Sequence, residues 1–318
     1  MVSEAVSSRA LRFSSIASIG ECMVELGVAP DGTTALGFGG DTLNTAIYLA
    51  RLLAREGVAV DYVTAVGRDP FSDRMVTAWE AEGVGTALVR RHPDRIAGLY
   101  AITTAADGER SFTYWRGEAA ARTLFDAPDA AFEATLLGHD VLYLSAISVA
   151  ILPGAGRERL IALLERHRAN GGTVAFDSNY RPRLWASRAE AQESVERLWR
   201  VATVAFPSVD DEMALFGETS EDAVIARLKG YGHRECILKR GPNGPLIVAG
   251  GTDPAPLAVP PPAKAVDTTA AGDSFNAGYL AARALGAGVE QAALAGHALA
   301  ATVIRHRGAI IPLAAMPA

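Results

Sequence analysis

The stretch that decides the fold is residues 267–275, which read DTTAAGDSF. Small side chains at positions 270–272 let the backbone turn tightly and approach a ligand closely. Residues 274–285, rich in Ala and Leu, follow this turn and predict a helix. A turn that opens a helix aims several backbone N–H groups, and the positive end of the helix dipole, at one point. The sequence therefore predicts an anion site here, of the kind that suits a phosphate group in transfer.

Asp273 stands at the start of the same helix, where a carboxylate cannot neutralise a phosphate. A general base that takes a proton from a substrate hydroxyl is the alternative role. An isolated Gly-Asp pair more often reflects the preference of acids for helix starts. Asp267 lies six residues earlier, across the small-residue turn, and this arrangement favours the catalytic interpretation.

Length and composition are those of an ordinary globular enzyme. The 318 residues, 49% hydrophobic and 21% charged, suit one large domain or one domain with a small appendage. A net charge of −6 disfavours a nucleic-acid surface. Cys22 and Cys236 lie far apart without metal-ligand spacing, which is typical of a reduced, cytoplasmic compartment. No apolar run approaches the ~20 residues of a membrane helix, and residues 1–12 lack a signal core.

Short apolar strands alternate with helical patterns along most of the chain. Strands are predicted at residues 16–26, 62–66, 140–147, 173–177, 203–206, 235–238 and 257–259, and helices at 42–55, 72–82, 157–169, 188–200, 271–285 and 290–305. The alternation predicts an α/β fold with a doubly wound, mostly parallel sheet. Ligands of such sheets bind beyond the carboxyl ends of the strands.

One region interrupts the alternation with short β segments. They are predicted at residues 33–38, 87–91, 99–104 and 111–115, with a hairpin turn at 106–109. We expect a single domain, residues 1–318, from which a small sheet built from about 33–38 and 86–116 projects as a lid. Its aromatic and basic residues favour a lid over an ornamental hairpin, because such clusters tend to mark binding surfaces.

A second glycine-rich turn, residues 37–44, reads GFGGDTLN. Asp41 is expected to cap the helix that follows, and Asn44 to point back from its first turn. Polar groups in this position suit the hydroxyls of a sugar, which need paired donors and acceptors. A glycine-rich helix start by itself is more often structural.

Two further loops follow strands of the predicted sheet. In the first, residues 177–182, Arg181 could bind a carboxylate or phosphate, or it could pair with Asp177 and staple the loop. The second, residues 239–244, lacks the P-loop pattern, and no G-x-G-x-x-G follows the first strand. P-loop enzymes and dinucleotide-dependent oxidoreductases are therefore disfavoured, and the histidines show no metal-binding spacing.

Together these motifs resemble those of the ribokinase-like (PfkB) carbohydrate kinases. Residues 267–275 resemble the C-terminal signature of that family and residues 39–44 its N-terminal di-glycine signature. The resemblance spans nearly the whole chain and implies a ribokinase-like fold, ATP and Mg²⁺. Residues 37–44, 114–116, 177–185 and 307–312 are most similar to members that phosphorylate a sugar acid, 2-keto-3-deoxygluconate, at O6. The implied product, 2-keto-3-deoxy-6-phosphogluconate, belongs to the Entner–Doudoroff route and to hexuronate catabolism.

The resemblance also implies roles for the residues that match. Asp273 would be the base, and the N–H groups of Ala270, Ala271, Gly272 and Asp273 would form the anion hole. The sugar would be bound by Gly40, Asp41, Asn44, Tyr100, Tyr114, Arg116 and Arg181, with an arginine reading its carboxylate. The nucleotide would lie near Asn179, Ser208, Lys239, Gly241, Asn243, Gly244 and His297. Asp211 would serve Mg²⁺, while Asp267 and Thr269 resemble the site of a monovalent cation such as K⁺.

Two positions depart from the family pattern. Ala270 stands where many members have glycine, and residues 208–211, SVDD, stand where the family has an N-x-x-E motif linked to Mg²⁺. The replacements keep oxygen ligands, and Glu212 is an alternative one residue further on. Another PfkB sugar kinase, such as a ribokinase or fructokinase, and a non-catalytic sugar-binding regulator are the alternative functions. The expected partners are the sugar acid, ATP and further copies of the chain, with no nucleic acid and no membrane.

Overall fold

The computed structural model describes residues 12–104, 110–248, 253–260 and 264–317. The strands of these ranges are β1 (Ser15–Ile19), β2 (Met23–Val28), β3 (Thr34–Gly39), β4 (Ala59–Val66), β5 (Val89–Arg91), β6 (Gly98–Thr104), β7 (Arg110–Trp115), β8 (Val141–Ser145), β9 (Thr173–Asp177), β10 (Val204–Phe206), β11 (Glu235–Leu238), β12 (Leu246–Ile247) and β13 (Ala255–Pro256). The α-helices are α1 (Asp41–Leu53), α2 (Pro70–Ala81), α3 (Ala130–Leu137), α4 (Ala146–Ala150), α5 (Gly154–Ala169), α6 (Arg188–Val201), α7 (Val209–Phe216), α8 (Glu221–Lys229), α9 (Ala271–Ala284) and α10 (Val289–Val303).

The larger sheet has the strand order β13-β12-β11-β10-β9-β8-β1-β4-β5. Neighbours from β11 to β5 run parallel, and at the other edge β12 pairs antiparallel with both β11 and β13. The predicted α/β fold with a mostly parallel sheet is therefore confirmed. Parallel strands need crossover connections, and the intervening helices supply them.

Both faces of this sheet are buried. On β8, Leu142 and Leu144 join a core with α5 and α6, while Val141 and Tyr143 join a second core with α1 and α9. Successive side chains of a strand point to opposite faces, so a strand covered on both sides reads as a continuous apolar run. None of the described helices has the length and apolar character needed to cross a bilayer.

The smaller sheet has the order β3-β2-β6-β7. It contains the predicted segments 33–38, 99–104 and 111–115, each within one residue of its expected start, whereas the hairpin turn at 106–109 lies outside the described residues. The assignment of residues 87–91 to this sheet is wrong, because β5 pairs with β4 at the edge of the larger sheet. The later strands of the smaller sheet, β6 and β7, therefore begin at Gly98 and not near residue 86.

The predicted strand at residues 16–26 is also wrong, because it is two strands in different sheets. The chain leaves the larger sheet after Ile19 and enters the smaller one at Met23. A Cβ on Gly20 would lie 2.2 Å from Thr42 Oγ1, so the break packs directly against the start of α1. Burial continues through Gly20, Glu21 and Cys22, so the apolar runs on either side of the break resemble one continuous buried strand.

Several short elements depart from the expected ones. The patterns do not predict α3, α4, α7 and α8, which contain 8, 5, 8 and 9 residues. Helical periodicity is visible only in windows of roughly 11–18 residues, so helices this short give little signal. The strand expected at 140–147 ends at Ser145, which caps α4, and the edge strand expected at 257–259 lies at Ala255–Pro256.

Candidate active site

A cleft of about 540 Å³ lies where the carboxyl ends of the larger sheet meet the smaller sheet. Met23 and Phe112 of the smaller sheet face Asp177 and Lys239 of the larger sheet across it. The predicted site residues that line it are Gly40, Asp41, Asn44, Tyr100, Tyr114, Asn179, Arg181, Ser208, Asp211, Lys239, Gly241, Thr269, Ala270, Ala271, Gly272 and Asp273. Residues from distant parts of the chain thus converge where parallel sheets bind ligands.

The turn before α9 presents unpaired backbone donors to this cleft. Ala270 has φ 60° and ψ 16°, a left-handed conformation that bends the chain into the helix. The N–H of Ala271 donates to the carbonyl of Thr268 at 3.2 Å, so it is not available to a ligand. Among the described residues, the N–H groups of Gly272 and Asp273 have no acceptor. These two groups and the helix dipole can hold an anion.

Asp273 lies almost completely buried at the floor of the cleft. Asn44 Nδ2 donates to its Oδ2 at 2.8 Å, and this bond fixes the carboxylate. Burial raises the pKa of Asp273 to about 8, and the neighbouring charge of Asp41 acts in the same direction. A carboxylate with this proton affinity can accept the proton of a hydroxyl that binds beside it.

Asp41 does not cap α1, contrary to the expectation. The N-terminal cap position is Gly40, and the Asp41 carboxylate instead accepts hydrogen bonds from Ser145 Oγ and from Asn179 Nδ2, the latter at 2.6 Å. Burial raises the pKa of Asp41. The side chain is thus held in the cleft by two strand-end residues.

Gly40 lets the start of α1 approach the backbone of Glu21 closely, as the glycine-rich turn predicts. A Cβ at this position would lie 2.1 Å from the carbonyl oxygen of Glu21. Any side chain would therefore push the start of α1 away from the connection between the two sheets. The glycine is needed for this packing, whatever ligand the cleft holds.

Arg181 does not staple its loop to Asp177. Its Nη1 donates to the carbonyl of Tyr180 at 2.8 Å and lies 3.4 Å from Asp211 Oδ1, while about half of the side chain, 54%, remains exposed. Asp177 is paired with Lys239 instead, at 2.6 Å. A half-exposed guanidinium at the cleft wall can still turn to a ligand.

Asp211 sits beside the cleft, and Glu212 does not. Burial raises the pKa of Asp211, and Ser178 Oγ donates to it at 3.3 Å. Glu212 is completely buried on the other side of α7 and pairs with Arg227 at 2.8 Å. The alternative that Glu212 replaces the missing motif acid is therefore wrong.

Arg116 is not at the cleft wall. It forms an ion pair with Glu21, whose side chain is 1% exposed, and burial raises the pKa of this acid. The Glu21 side chain is a buried charge that needs its partner. The guanidinium is therefore engaged inside the protein rather than directed at a ligand.

Two tyrosines of the smaller sheet face the cleft. Tyr100 donates its hydroxyl to the carboxylate of Glu25 on the neighbouring strand, and its ring stacks on that of Tyr114 with centroids 5.9 Å apart. Tyr114 is half exposed. An aromatic surface that is open on one side suits the covering of a bound sugar.

The remaining predicted residues lie away from the cleft wall. The carbonyls of Asn243 and Gly244 accept hydrogen bonds from Arg240. His297 lies on α10 and is half-buried, which lowers its pKa. The structure thus brings neither the Asn243–Gly244 loop nor His297 to the described cleft.

Asp267 anchors the turn from behind. Its Oδ1 accepts from the backbone N–H of Thr269 at 3.1 Å and from its hydroxyl at 2.7 Å, and its Oδ2 accepts from Gly308 N at 2.9 Å. The carboxylate therefore joins the turn to the C-terminal segment. Asp267 and Thr269 are the residues for which the family resemblance implies a monovalent-cation site.

The acids around the cleft suit Mg²⁺. No group of three or more His, Cys, Asp or Glu side chains that could hold a metal occurs within the described ranges. Mg²⁺ in phosphoryl-transfer sites usually keeps several waters and takes one or two carboxylates plus the phosphates. Asp210 and Asp211 line the cleft close to Asp177, and this crowding of negative charge fits such a partly hydrated ion.

The sequence-based list lacks several side chains that hold cleft residues in place, of which Ser145, Asn276 and Glu25 are examples. Ser145, which donates a hydrogen bond to Asp41, is the last residue of the buried strand β8, and this place at a strand end indicates a site residue. Asn276 lies three positions after Asp273, on the same face of α9, and helical spacing indicates it. Glu25 is hidden because the strand that carries it was assigned to the wrong sheet.

The family model for pfkB family carbohydrate kinases matches residues 14–316. The chain belongs to this family. It is therefore a carbohydrate kinase, and the cleft with Asp273 lies where the two family signatures meet.

Relatives within the family cover nearly the whole chain. The 2-dehydro-3-deoxygluconokinase of Escherichia coli strain K12 is 49% identical over 306 residues, which are 95% of this chain and 99% of that protein. A PfkB protein from Polaromonas sp. JS666 has a similar structure, with a TM-score of 0.78, 26% identity and coverage of 91% and 94%. The aminoimidazole riboside kinase from Salmonella enterica, complexed with aminoimidazole riboside and an ATP analog, has a TM-score of 0.78 at 22% identity, with coverage of 95% and 96%.

Proposed function

We propose that the protein transfers the γ-phosphoryl group of ATP to O6 of 2-keto-3-deoxygluconate, also called 2-dehydro-3-deoxygluconate. The observation that carries this proposal is the buried Asp273, held by Asn44 beside the unpaired N–H groups of the α9 turn. The 49% identical Escherichia coli relative is named for the same substrate and is matched along 99% of its length.

Asp273 acts as the general base in this mechanism. Its carboxylate takes the proton of the O6 hydroxyl, O6 bonds to the γ-phosphorus, and the bond from that phosphorus to the β-phosphate oxygen breaks to release ADP. The N–H groups of Gly272 and Asp273 stabilise the charge on the transferred group. Phosphoryl transfer depends mainly on positioning and charge stabilisation, and this turn offers both.

The sugar acid lies between α1 and the smaller sheet. Asp41 and Asn44 present acceptors and donors to its hydroxyls, and the stacked pair Tyr100 and Tyr114 covers it. Arg181 is the half-exposed cation of the cleft wall and reads the carboxylate. The smaller sheet, formed by β3, β2, β6 and β7, serves as the lid.

The nucleotide binds along the loops that follow β9, β10 and β11. Asn179, Ser208, Lys239 and Gly241 line that part of the cleft, and the nucleotide extends beyond it toward Asn243, Gly244 and His297. Asp211, with Asp210 beside it, holds Mg²⁺, which neutralises charge on the phosphates when bound. The ATP analog in the Salmonella enterica relative supports this use of the fold.

Three finer proposals complete the assignment. A monovalent cation binds at Asp267 and Thr269 next to the backbone of Gly308. The protein works in the cytoplasm, where ATP is available, and assembles as a homo-oligomer. Activity with and without K⁺ tests the cation site, mass in solution tests the oligomer, and fractionation of cells tests the location, each separately from the main assignment.

A coupled assay of ADP release over a panel of acceptors tests the function. The panel contains 2-keto-3-deoxygluconate, its galactonate-derived epimer, fructose and ribose, each with ATP and Mg²⁺. We expect kcat/KM for 2-keto-3-deoxygluconate to exceed that for the neutral sugars by about 10²-fold or more, because only the acid pairs with Arg181. A preference for fructose or ribose would assign the protein to another sugar kinase, and no turnover with any acceptor would favour a sugar-binding regulator.

A further inference from the structure

We propose that Lys239 is a catalytic residue whose ammonium contacts the phosphoryl group during transfer, and that Asp177 and Asn276 position it. The inference rests on the proposed function and deepens it. It adds to the anion hole a charge that the backbone alone does not supply.

Lys239 reaches the α9 turn from the opposite side of the cleft. It directly follows β11, and its Nζ lies 3.4 Å from the point that a Cβ on Gly272 would occupy. The side chain is 14% exposed and lines the cleft. The ammonium and the unpaired N–H of Gly272 therefore border the same small space.

The hydrogen bonds of the ammonium leave one donor for a ligand. Nζ donates to Asp177 Oδ1 at 2.6 Å and lies 3.4 Å from Asn276 Oδ1. A lysine ammonium has three donors, and two are used inside the protein within the described ranges. A phosphate oxygen at the turn is a suitable acceptor for the third.

A second layer of buried groups fixes this arrangement. Asn276 Nδ2 donates to Asp177 Oδ2 at 2.8 Å and to Tyr143 OH at 3.0 Å. The Thr45 hydroxyl lies 3.1 Å from Tyr143 OH and 3.2 Å from the backbone carbonyl of Asp273. Asn276, Tyr143 and Thr45 are completely buried. The network therefore joins the ammonium to the same helix turn that carries the base.

The charges around Asp273 give Lys239 a second effect. Burial is the main cause of the raised pKa of Asp273, and the carboxylates of Asp41 and Asp177 raise it further. The hydrogen bond from Asn44 and the charge of Lys239 lower it. Loss of the ammonium should therefore make the base harder to ionise as well as weakening the anion hole.

A simpler role for Lys239 is the neutralisation of the buried Asp177 carboxylate. That role predicts a loss of stability on substitution, without a specific effect on kcat or on the pH profile. In the proposed step the ammonium keeps its three protons. It only strengthens its hydrogen bond as charge develops on the phosphoryl oxygens, while the O6 proton goes to Asp273.

Steady-state kinetics over a pH range with Lys239→Met tests the proposal. We expect kcat to fall by about 10²–10³-fold, KM for 2-keto-3-deoxygluconate to change by less than about threefold, and the apparent pKa of the basic group to rise. Lys239→Arg should keep the wild-type pH profile, because it keeps the charge. Asn276→Ala should lower kcat by a smaller factor, and Lys229→Met, on the exposed end of α8, is the matched control.

If Lys239→Met does not fold, the double variant Asp177→Asn/Lys239→Met replaces it in the same kinetic test, because it removes both buried charges together. A kcat within about threefold of wild type in either folded variant, with an unchanged pH profile, would contradict the proposal and leave Lys239 as a structural partner of Asp177. Failure of the wild-type protein to phosphorylate any sugar acid would instead contradict the proposed function. The two failures are thus distinguishable.

Discussion

At two positions of the α9 turn, 270 and 272, the residue present is not the one that the backbone conformation alone would favour. Ala270 adopts φ 60°, a conformation in which glycine is usual, whereas Gly272 lies in the helix and is not among the residues with positive φ. A Cβ on Gly272 would make only an ordinary contact with Lys239 Nζ, at 3.4 Å. The protein alone therefore has room for a methyl group at position 272, and the glycine is explained by a ligand at the turn.

Substitutions at these two positions should have opposite consequences. Gly272→Ala should fold normally and lower kcat/KM for ATP by about tenfold or more, because its methyl group occupies the phosphate side of the turn. Ala270→Gly should change the free energy of unfolding by less than about 1 kcal/mol and leave activity near that of wild type. Chemical denaturation and ADP-release kinetics measure both, and normal activity of Gly272→Ala would argue against phosphate binding here.

Asp273 should also lower the stability of the protein at neutral and basic pH. Its carboxyl has a folded-state pKa of about 8, above its ordinary value of 3.8, so the native state binds the proton more tightly than the unfolded chain. The stability contributed by this group is present below pH 3.8 and is lost as pH rises through 8. Asp273→Asn, which keeps an acceptor for Asn44, removes this loss.

We therefore expect Asp273→Asn to melt at a higher temperature than wild type at pH 8, with the difference shrinking toward pH 4. Thermal unfolding at a series of pH values measures the difference, and Asp222→Asn, at the exposed start of α8, is the control for the same chemical change outside the cleft. A variant that melts below wild type at pH 8 would show that the carboxyl is stabilised in its ionised form.

At the residue scale, the sequence predicts the chemistry that a side chain can perform better than it predicts the residue with which that side chain pairs. Motif spacing places Asp273, Asn44 and Asp41 at one site, and the structure brings them together. Arg116 and Glu212 have the right chemistry for the roles expected of them, but each forms an ion pair in which a glutamate is buried. Such pairings depend on contacts across the fold, and local spacing does not encode them.

At the scale of elements, the smaller sheet brings one row of side chains to the cleft. Register places Glu25 opposite Tyr100 and Tyr100 opposite Tyr114 across three strands, and the two rings stack. Arg116 follows the same strand as Tyr114 but turns back to Glu21, at the connection between the two sheets. The ion pair thus fixes the base of the smaller sheet, and Arg181 is left as the arginine that faces the cleft.

Substitution of the two arginines separates these roles. Arg116→Met should lower the free energy of unfolding by about 3–5 kcal/mol, because it leaves the buried Glu21 carboxylate unpaired. Addition of Glu21→Gln should restore most of the loss. Chemical denaturation measures both effects, and an Arg116→Met variant with normal stability but a raised KM for the sugar acid would return the carboxylate-binding role to Arg116.

Arg181→Ala should raise KM for 2-keto-3-deoxygluconate by about tenfold or more, with little effect on KM for ATP or on stability. The guanidinium is half exposed, so its removal leaves no buried charge. Arg183→Ala, on the same loop and exposed, is the matched control. Equal increases in both KM values would mean that Arg181 does not read the carboxylate.

Long elements of this fold were predictable, and the transitions between sheets were not. The helices α5, α6, α9 and α10 and the strand β9 lie within three residues of their predicted bounds, because each has a clear period or a clear apolar run. The break at residues 20–22 has neither, since buried residues continue from one sheet into the other. Its position is decided by the packing of Gly20 and Gly40 against neighbouring backbone and side chains.

At the scale of the whole molecule, residues from both sheets and from the loops and helix starts that follow their strands build one charged cleft. Asp41, Asp177, Asp210, Asp211 and Asp273 bring five carboxylates to it, with Lys239 and Arg181 as cations among the described lining residues. Burial is the main cause that raises the pKa values of Asp41, Asp211 and Asp273, and the neighbouring aspartates raise them further. Such an excess of negative charge suits a divalent cation that binds together with ATP.

Single-turnover phosphorylation of 2-keto-3-deoxygluconate by wild type and Asp273→Asn tests the central claim most directly. Both proteins are saturated with ATP, Mg²⁺ and the sugar acid, and the phosphorylated carbon of the product is located by NMR. We predict phosphate on O6, a rate for the variant that is lower by about 10²–10⁴-fold, and dissociation constants for both substrates within about threefold of wild type. A variant rate within about threefold of wild type, or phosphate on another oxygen, would contradict the assignment of Asp273 as the base that activates O6.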